Sequence, residues 1–266
     1  MSGETMTVVE GEPPVSAEDR HQTILQLLQA RGQVAIADLS ARFAVSEMTI
    51  RRDLAQLEAD GLLRRTHGGA ARTDSGSFEP PFALRARMHP EAKRAIAAAV
   101  ASELDDGLTI ILDGGSTGVA IAEALVGRNL TVCALNIRVA EILSSSPATR
   151  VMVPGGQIRH GELSLVGPAV ERMLADHVFD TYVMTVSGID VEAGLTEWNV
   201  DDAATKRASL ANSRRRIVAC DASKFGQTAF ARVAAMSDAD LIITDADLDA
   251  QHRQAIAVLG ADLRIA

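Results

Sequence analysis

Thr49–Ala70 reads TIRRDLAQLEADGLLRRTHGGA. It places four arginines, Arg51, Arg52, Arg64 and Arg65, in a chain of 266 residues whose formal net charge is −9. On a helical wheel Ile50, Leu54 and Leu57 form one apolar stripe. Arg52 lies about 200° from Ile50, nearly opposite that stripe. Met48, Thr49, Arg51 and Gln56 flank it or sit at the margins. Ser46 can cap this helix, which is expected over residues 47–60 with Gly61 as its stop. LLRRTHGGA then reads as a short hairpin or wing, with Arg64, Arg65 and His67 placed to follow a phosphate backbone. Hydroxyl, guanidinium and amide groups on the outer face of a helix are what base edges and phosphates accept. The alternative is a solvated amphipathic helix whose arginines pair with Asp53 and Glu58.

The surrounding segments favour the first reading. Ser16 is a plausible cap for a helix carrying Ile24, Leu27 and Leu28, and Gly32 suits its end. A second short helix is expected over Ile36–Phe43, with Ala44-Val45-Ser46 as a tight connection to the third. Three short helices followed by a basic hairpin make a winged helix-turn-helix. Its charge is also distinct. Residues 17–72 carry eight arginines against seven acids, residues 1–16 carry three acids and no Lys or Arg, and residues 73–266 carry 18 basic and 25 acidic residues. A near-neutral module with clustered arginines is thus joined to an acidic body. We expect a tail over 1–16, a DNA-binding domain over 17–72, a Pro-rich linker over 73–82 and a second domain over 83–266.

The second domain has another texture. After an Ala-rich helix, apolar runs such as LTIILD, LTVCALN, TYVMTV, RRIVAC and DLIITD alternate with helical stretches. That alternation predicts an α/β fold with a Rossmann-like, mostly parallel sheet. Polar and glycine-bearing loops follow the expected strands, where open α/β sheets bind ligands. Asp113-Gly114-Gly115-Ser116-Thr117 joins a strand to a helix, a ready anion site of backbone N–H groups and hydroxyls. Asn136, Gly155, Gly156, Asp190 and Lys224 are the other candidate ligand contacts, with Lys224 supplying charge.

Other classes fit less well. No apolar run reaches the ~18–20 residues of a membrane span, and the first residues lack the basic start and apolar core of a secretory signal. Cys133 and Cys220 each lie in an apolar run, which favours buried reduced thiols and a cytoplasmic setting. The six histidines show no metal-ligand spacing, and the glycine loop lacks the Gly-Lys-Ser/Thr of a nucleotide-binding loop. No metal and no cofactor is therefore expected. Residues 114–118, GGSTG, also read as G-x-S-x-G, a nucleophile elbow. Asp245 and His252 could be offered as partners, although His252 falls within an expected helix.

The stretch RHQTILQLLQARGQVAIADLSARFAVSEMTIRRDLAQLEADGLLRRTHGGA resembles the N-terminal winged helix-turn-helix of DeoR-type transcriptional regulators. VSEMTIRRDLAQLE and HGGA follow that family's pattern nearly residue for residue. The C-terminal half resembles the family's sensor domain, itself similar to ribose-5-phosphate isomerase. The resemblance implies a repressor of sugar catabolism genes that binds operator DNA as a dimer or tetramer and responds to a phosphorylated sugar. It also implies that DGGST holds the phosphate and that Lys206 matches a second lysine of the isomerases. In those enzymes a catalytic glutamate precedes that lysine; here the place is taken by Thr205. A threonine cannot abstract a carbon-bound proton as a positioned carboxylate can, so binding without turnover is expected, with Glu197 and Asp201 as the nearby carboxylates that could substitute.

Overall fold

A computed structural model describes residues 16–59, 62–71 and 79–266. Residues 1–15 of the expected tail, the helix stop at 60–61 and the linker residues 73–78 lie outside the described residues. The chain divides between residues 74 and 75 into two compact units.

In the first unit, α1 (Ala17–Arg31) starts where the Ser16 hydroxyl accepts from the Asp19 N–H at 3.1 Å, and Gly32 ends it at φ 74°. A short strand, β1 (Gln33–Ala35), leads into α2 (Ile36–Phe43), and α3 (Glu47–Ala59) follows. Ile24 and Leu28, Leu39 and Phe43, and Ile50, Leu54 and Leu57 bury one stripe from each helix in a common core. One polar contact lies within it. The buried Asp53 carboxylate of α3 accepts from Arg20 Nε at 2.8 Å, from Arg20 Nη2 at 3.1 Å, and lies 3.1 Å from His21 Nε2. This fork fixes the rotation of α3 against α1.

The wing has three strands where the sequence pattern anticipates two. β2 (Arg64–Thr66) and β3 (Gly69–Ala71) form the expected hairpin, and β1 adds on the other side of β3 in an antiparallel ladder. Three residues between a helix stop and a helix start carry too little periodicity to be read as a strand. The approach of β1 explains a glycine: a Cβ on Gly69 would lie 1.9 Å from the Val34 carbonyl oxygen.

The second unit opens with α4 (Phe82–Arg87) and α5 (Pro90–Ser102), followed by β4 (Thr109–Leu112), α6 (Gly115–Ala124), β5 (Thr131–Ala134), α7 (Ile137–Ser144) and β6 (Arg150–Met152). A small hairpin, β7 (Gln157–Ile158) and β8 (Leu165–Val166), precedes α8 (Pro168–Ala175) and β9 (Phe179–Met184). Next come β10 (Gly188–Asp190), β11 (Gly194–Glu197), α9 (Val200–Ala211), β12 (Ser213–Ala219), β13 (Ala231–Ala234), β14 (Leu241–Thr244), α10 (Ala250–Leu259) and β15 (Asp262–Ile265). The main sheet has seven strands in the order β15-β14-β12-β9-β4-β5-β6, every pair parallel. Both faces are covered, so the central strands β4, β5 and β14 are nearly continuous apolar runs. Ile110, Leu112, Val132, Val183 and Ile243 pack on the side of α5, α6 and α7. Ile111, Cys133, Tyr182, Val218 and Ile242 pack on the other side, toward α8, α9 and α10. Cys133 and Cys220 are both free and buried.

This is the Rossmann-like α/β unit anticipated by the alternation of runs. Two antiparallel additions were not legible: the β7–β8 hairpin and a three-stranded sheet ordered β10-β11-β13. Their strands are two to four residues long, and β10 and β11 start at glycines that otherwise read as loops. Among the described residues no helix is long and apolar enough to cross a membrane.

The Asp53 fork yields a test. Asp53→Ala leaves the Arg20 guanidinium buried without its anion, which costs ~3–5 kcal/mol in comparable pairs. Urea unfolding of the variant should show the first unit melting well before the second. Coincident transitions at the wild-type midpoint would show that the fork does not hold the helices.

Candidate functional site

The outer face of α3 is arranged as the wheel requires. Ile50, Leu54 and Leu57 are buried, and Met48, Arg51, Arg52 and Gln56 are exposed. Ser46 is used as the cap: its hydroxyl accepts from the Thr49 N–H at 3.2 Å and lies 3.0 Å from the Thr49 hydroxyl. Arg51 pairs with Glu47 at 3.3 Å, and Arg65 with Glu58 at 3.3 Å. Both are exposed contacts of the kind worth little in water and open to exchange for a phosphate. Asp53, the other candidate partner for these arginines, is occupied by Arg20. Arg52 and Arg64 are exposed and make no ion pair among the described residues, and His67 is exposed on the wing turn.

The second unit holds a cleft at the carboxyl ends of its parallel strands. β4 lies between β5 and β9 in the sheet, so the chain runs outward from β4 in one direction and later in the other. Such a switch point leaves a crevice between the diverging connections. Asp113–Thr117 after β4, Asn136 after β5, Thr185–Ser187 after β9 and Asp221–Lys224 after β12 border it or line it.

Three of the anticipated ligand residues turn inward. The Asp113 carboxylate accepts from the Gly114 N–H at 2.8 Å and the Thr185 N–H at 3.1 Å, and it pairs with the Lys206 ammonium. Lys206 is buried, donates to the Thr185 carbonyl at 2.7 Å and lies 3.1 Å from Glu197. Burial opposes its charge, but Asp113 and Glu197 outweigh this and hold its pKa above the usual lysine range. The Asn136 amide donates to the Glu162 carbonyl and accepts from the Arg138 N–H, each at 2.9 Å. It also crowds the loop, since a Cβ on Gly114 would lie 2.7 Å from its Nδ2. These three side chains shape the loop with the groups that were expected to meet a ligand.

What remains open is the amino end of α6. Gly115 takes φ 71°, and no side chain caps the helix. The first N–H groups of a helix have no intrahelical partner, so those of Gly115, Ser116 and Thr117 face the cleft with the Ser116 and Thr117 hydroxyls. Lys224 lines the same cleft. Its ammonium has no carboxylate within ion-pair distance among the described residues and sits 5.2 Å from the centroid of the Trp198 ring.

Gly155, Gly156 and Asp190 are not among the lining residues. Gly156 serves the β7–β8 hairpin, where at φ 108° a Cβ would meet the Val166 carbonyl oxygen at 2.6 Å. Asp190 closes the turn between β10 and β11, accepting from the Glu192 and Ala193 N–H groups at 2.9 and 2.8 Å. The nucleophile-elbow alternative is not assembled either. His252 lies in α10, within reach of Asp249 at 2.9 Å and edge-on to Phe225, and neither it nor Asp245 lines the cleft. Glu197 does line it, bound by the Ser187 hydroxyl, the Trp198 N–H and Lys206. Asp201 is exposed in the first turn of α9, outside the lining, and the Thr205 hydroxyl is buried without a partner.

The sequence reading missed a layer of charge. Glu79 and Arg85, Lys93, Arg159, Glu162 and Asp202 all line the cleft. Arg159 reaches both Glu79 and Asp202 at 2.7 Å. Glu79 lies in the expected linker and Arg85 just beyond its end, and Arg159 and Glu162 lie in the connection between β7 and β8. No local pattern marks them, because tertiary folding alone brings them together.

A winged helix-turn-helix joined to a parallel α/β unit is the build of a DNA-binding transcriptional regulator. The DeoR-like helix-turn-helix domain matches residues 20–76, and the DeoR C terminal sensor domain matches residues 88–246. The chain belongs to the DeoR family of transcriptional regulators. It is 35% identical to the glycerol-3-phosphate regulon repressor of Escherichia coli K12, covering 85% of this chain and 90% of that protein. It is 33% identical to the E. coli K12 HTH-type transcriptional repressor CsqR, over 91% and 90%. To the transcriptional repressor AccR of Agrobacterium fabrum it is 35% identical, over 86% and 90%. Among solved structures, ribose 5-phosphate isomerase A from Neisseria gonorrhoeae aligns over 50% of this chain and 52% of its own at 14% identity, with a TM-score of 0.36.

Arg52→Ala tests the α3 face. Loss of a good base contact costs ~1–3 kcal/mol. The variant should lose sequence-specific DNA binding in mobility-shift titrations at fixed salt while keeping the wild-type melting curve. Unchanged affinity and unchanged sequence preference would remove Arg52 from the interface.

Proposed function

We propose that this chain is a cytoplasmic repressor of a sugar-catabolic operon, whose hold on its operator is modulated by a phosphorylated sugar or polyol. The supporting observation is the uncapped amino end of α6, sharing a cleft with a lysine that has no carboxylate within ion-pair distance among the described residues. Backbone N–H groups, two hydroxyls and an available ammonium form an anion seat. The relatives' names point the same way: one is a repressor of the glycerol-3-phosphate regulon. In this reading residues 17–72 bind DNA, 73–82 link, and 83–266 sense. Arg52 and Gln56, with Met48, Thr49 and Arg51, meet base edges, while Arg64, Arg65 and His67 follow the backbone. Operator binding by such modules uses paired half-sites, so we assign the chain to a symmetric dimer or a tetramer.

The phosphate is held by Gly115, Ser116, Thr117 and Lys224, and the carboxylates of Glu79 and Asp202 are available to sugar hydroxyls. Losing one charge-assisted hydrogen bond costs ~1.5–3 kcal/mol. Lys224→Ala should therefore weaken a phosphorylated ligand roughly ten- to hundred-fold in calorimetry, with DNA affinity in the absence of ligand unchanged. The unphosphorylated counterpart should bind far more weakly to the wild type. Equal binding of either ligand form, or wild-type affinity in the variant, would move the phosphate elsewhere.

The cleft also links binding to protons. Burial lowers the Lys93 pKa to about 8, and nearby Asp221 opposes the shift. Burial raises the Glu79 pKa to about 7, against the pull of Arg85 and Arg159. An incoming anion favours charged Lys93 and neutral Glu79, and both changes take up a proton. Between pH 7 and 8 the calorimetric heat should therefore vary with the buffer's ionisation enthalpy in the sense of proton uptake. Affinity should fall as pH rises through about 8. Heat independent of buffer across that window would exclude an anion close to these two groups.

A further inference from the structure

One wall of the cleft is the stretch that begins at Glu79 and runs through α4. It is also the stretch by which the chain arrives from the DNA-binding helices. Its anchoring is specific. Arg85 Nε donates to the Pro80 carbonyl at 2.9 Å, and its Nη2 donates to Glu79 at 3.0 Å and to Glu162. The Phe82 ring lies 3.8 Å beneath the Arg138 guanidinium of α7. Lys93 of α5 donates to the carbonyls of Arg85 and Met88, which holds the far end of α4.

The remaining Arg85 nitrogen, Nη1, makes no hydrogen bond among the described residues. It points at the α6 loop: a Cβ placed on Gly115 would lie 3.5 Å from it. The guanidinium is also stacked 5.3 Å from the centroid of Trp198, whose ring lies 5.2 Å from the Lys224 ammonium. So the strap's central cation reaches the place where backbone N–H groups, Ser116 and Lys224 converge, with one fork of donors still open.

We propose that Arg85 is a direct ligand of the bound anion, and that segment 79–87 is the strap through which occupancy of the cleft reaches the chain leading to the DNA-binding helices. This rests on the reading of the cleft as an anion site and adds its regulation. A bound phosphate takes the open Nη1 donor and joins Glu162 and Glu79 around one guanidinium. Charge-assisted bonds to a planar fork are directional, so the strap is held more rigidly when the cleft is filled. Ligand alters operator affinity only through such a difference between states.

Hydrogen–deuterium exchange on the full chain, with ribose 5-phosphate and inorganic phosphate as probes, separates the two claims. In the wild type both residues 114–118 and residues 79–87 should exchange several-fold more slowly when the probe is bound. Arg85→Gln should bind the probe about tenfold more weakly. At saturating probe it should keep the protection of 114–118 and lose that of 79–87. The same variant, saturated, should show DNA affinity that no longer responds to the probe. Protection of 114–118 with an unchanged strap in the wild type would overturn the role of Arg85 and leave the anion site standing. No protection of 114–118 by either probe would overturn the anion site and the strap with it. A variant that fails to fold leaves the wild-type comparison decisive.

Discussion

The sensor unit depends on one buried cation. Lys206 sits where β4 and β9 diverge and binds Asp113 at the end of one strand, the Thr185 carbonyl after the other, and Glu197 on the small antiparallel sheet. An ammonium taken out of water is tolerable only with excellent partners, and two carboxylates taken out with it need the same. Removing Lys206 would strand both carboxylates, whereas removing either carboxylate would leave the ammonium a single carboxylate partner. The consequence is geometric. With Asp113 turned inward to Lys206 and to the N–H groups of Gly114 and Thr185, Gly115, Ser116 and Thr117 start α6 with their own N–H groups on the side of the cleft. Lys206 supplies no net charge to a ligand there, and the Lys224 ammonium is a cleft cation without a carboxylate at ion-pair distance among the described residues.

The DNA-binding unit uses the same logic at smaller scale. Asp53 stands on α3 among arginines, and simple spacing makes it their partner. The fold gives it instead to Arg20 of α1. A buried fork sets the helix orientation, and Arg52 is left on the surface without an ion pair among the described residues. In both units a buried ion pair fixes an element, and that arrangement frees a neighbouring cation to face outward.

Much of this was legible in the sequence. The third helix, its Ser46 cap, the wing and the parallel sheet all follow from local periodicity and turn chemistry, which neighbouring residues alone determine. The loops after β4, β5 and β12 were legible because a glycine or polar loop after an apolar run marks a strand's carboxyl end. The roles within them were not. Asn136, Asp113 and Lys206 have the chemistry of ligand contacts and line the cleft, and only their inward partners show that they also build the loop. Gly155, Gly156 and Asp190 look like site loops because turns of antiparallel hairpins use the same residues. Arg85, Arg159 and Glu162 carried no signal, since their meaning lies in contacts between segments far apart in the chain.

The central claim is that an anion in the switch-point cleft governs DNA binding at the other unit. The direct measurement takes genomic fragments that the full chain selects and follows their occupancy while a panel of phosphorylated sugars and polyols is titrated, each beside its unphosphorylated counterpart. The account predicts that at least one phosphorylated compound shifts occupancy saturably and that its counterpart does not at the same concentrations. Occupancy indifferent to every phosphorylated compound, or shifted equally by both forms, would contradict it.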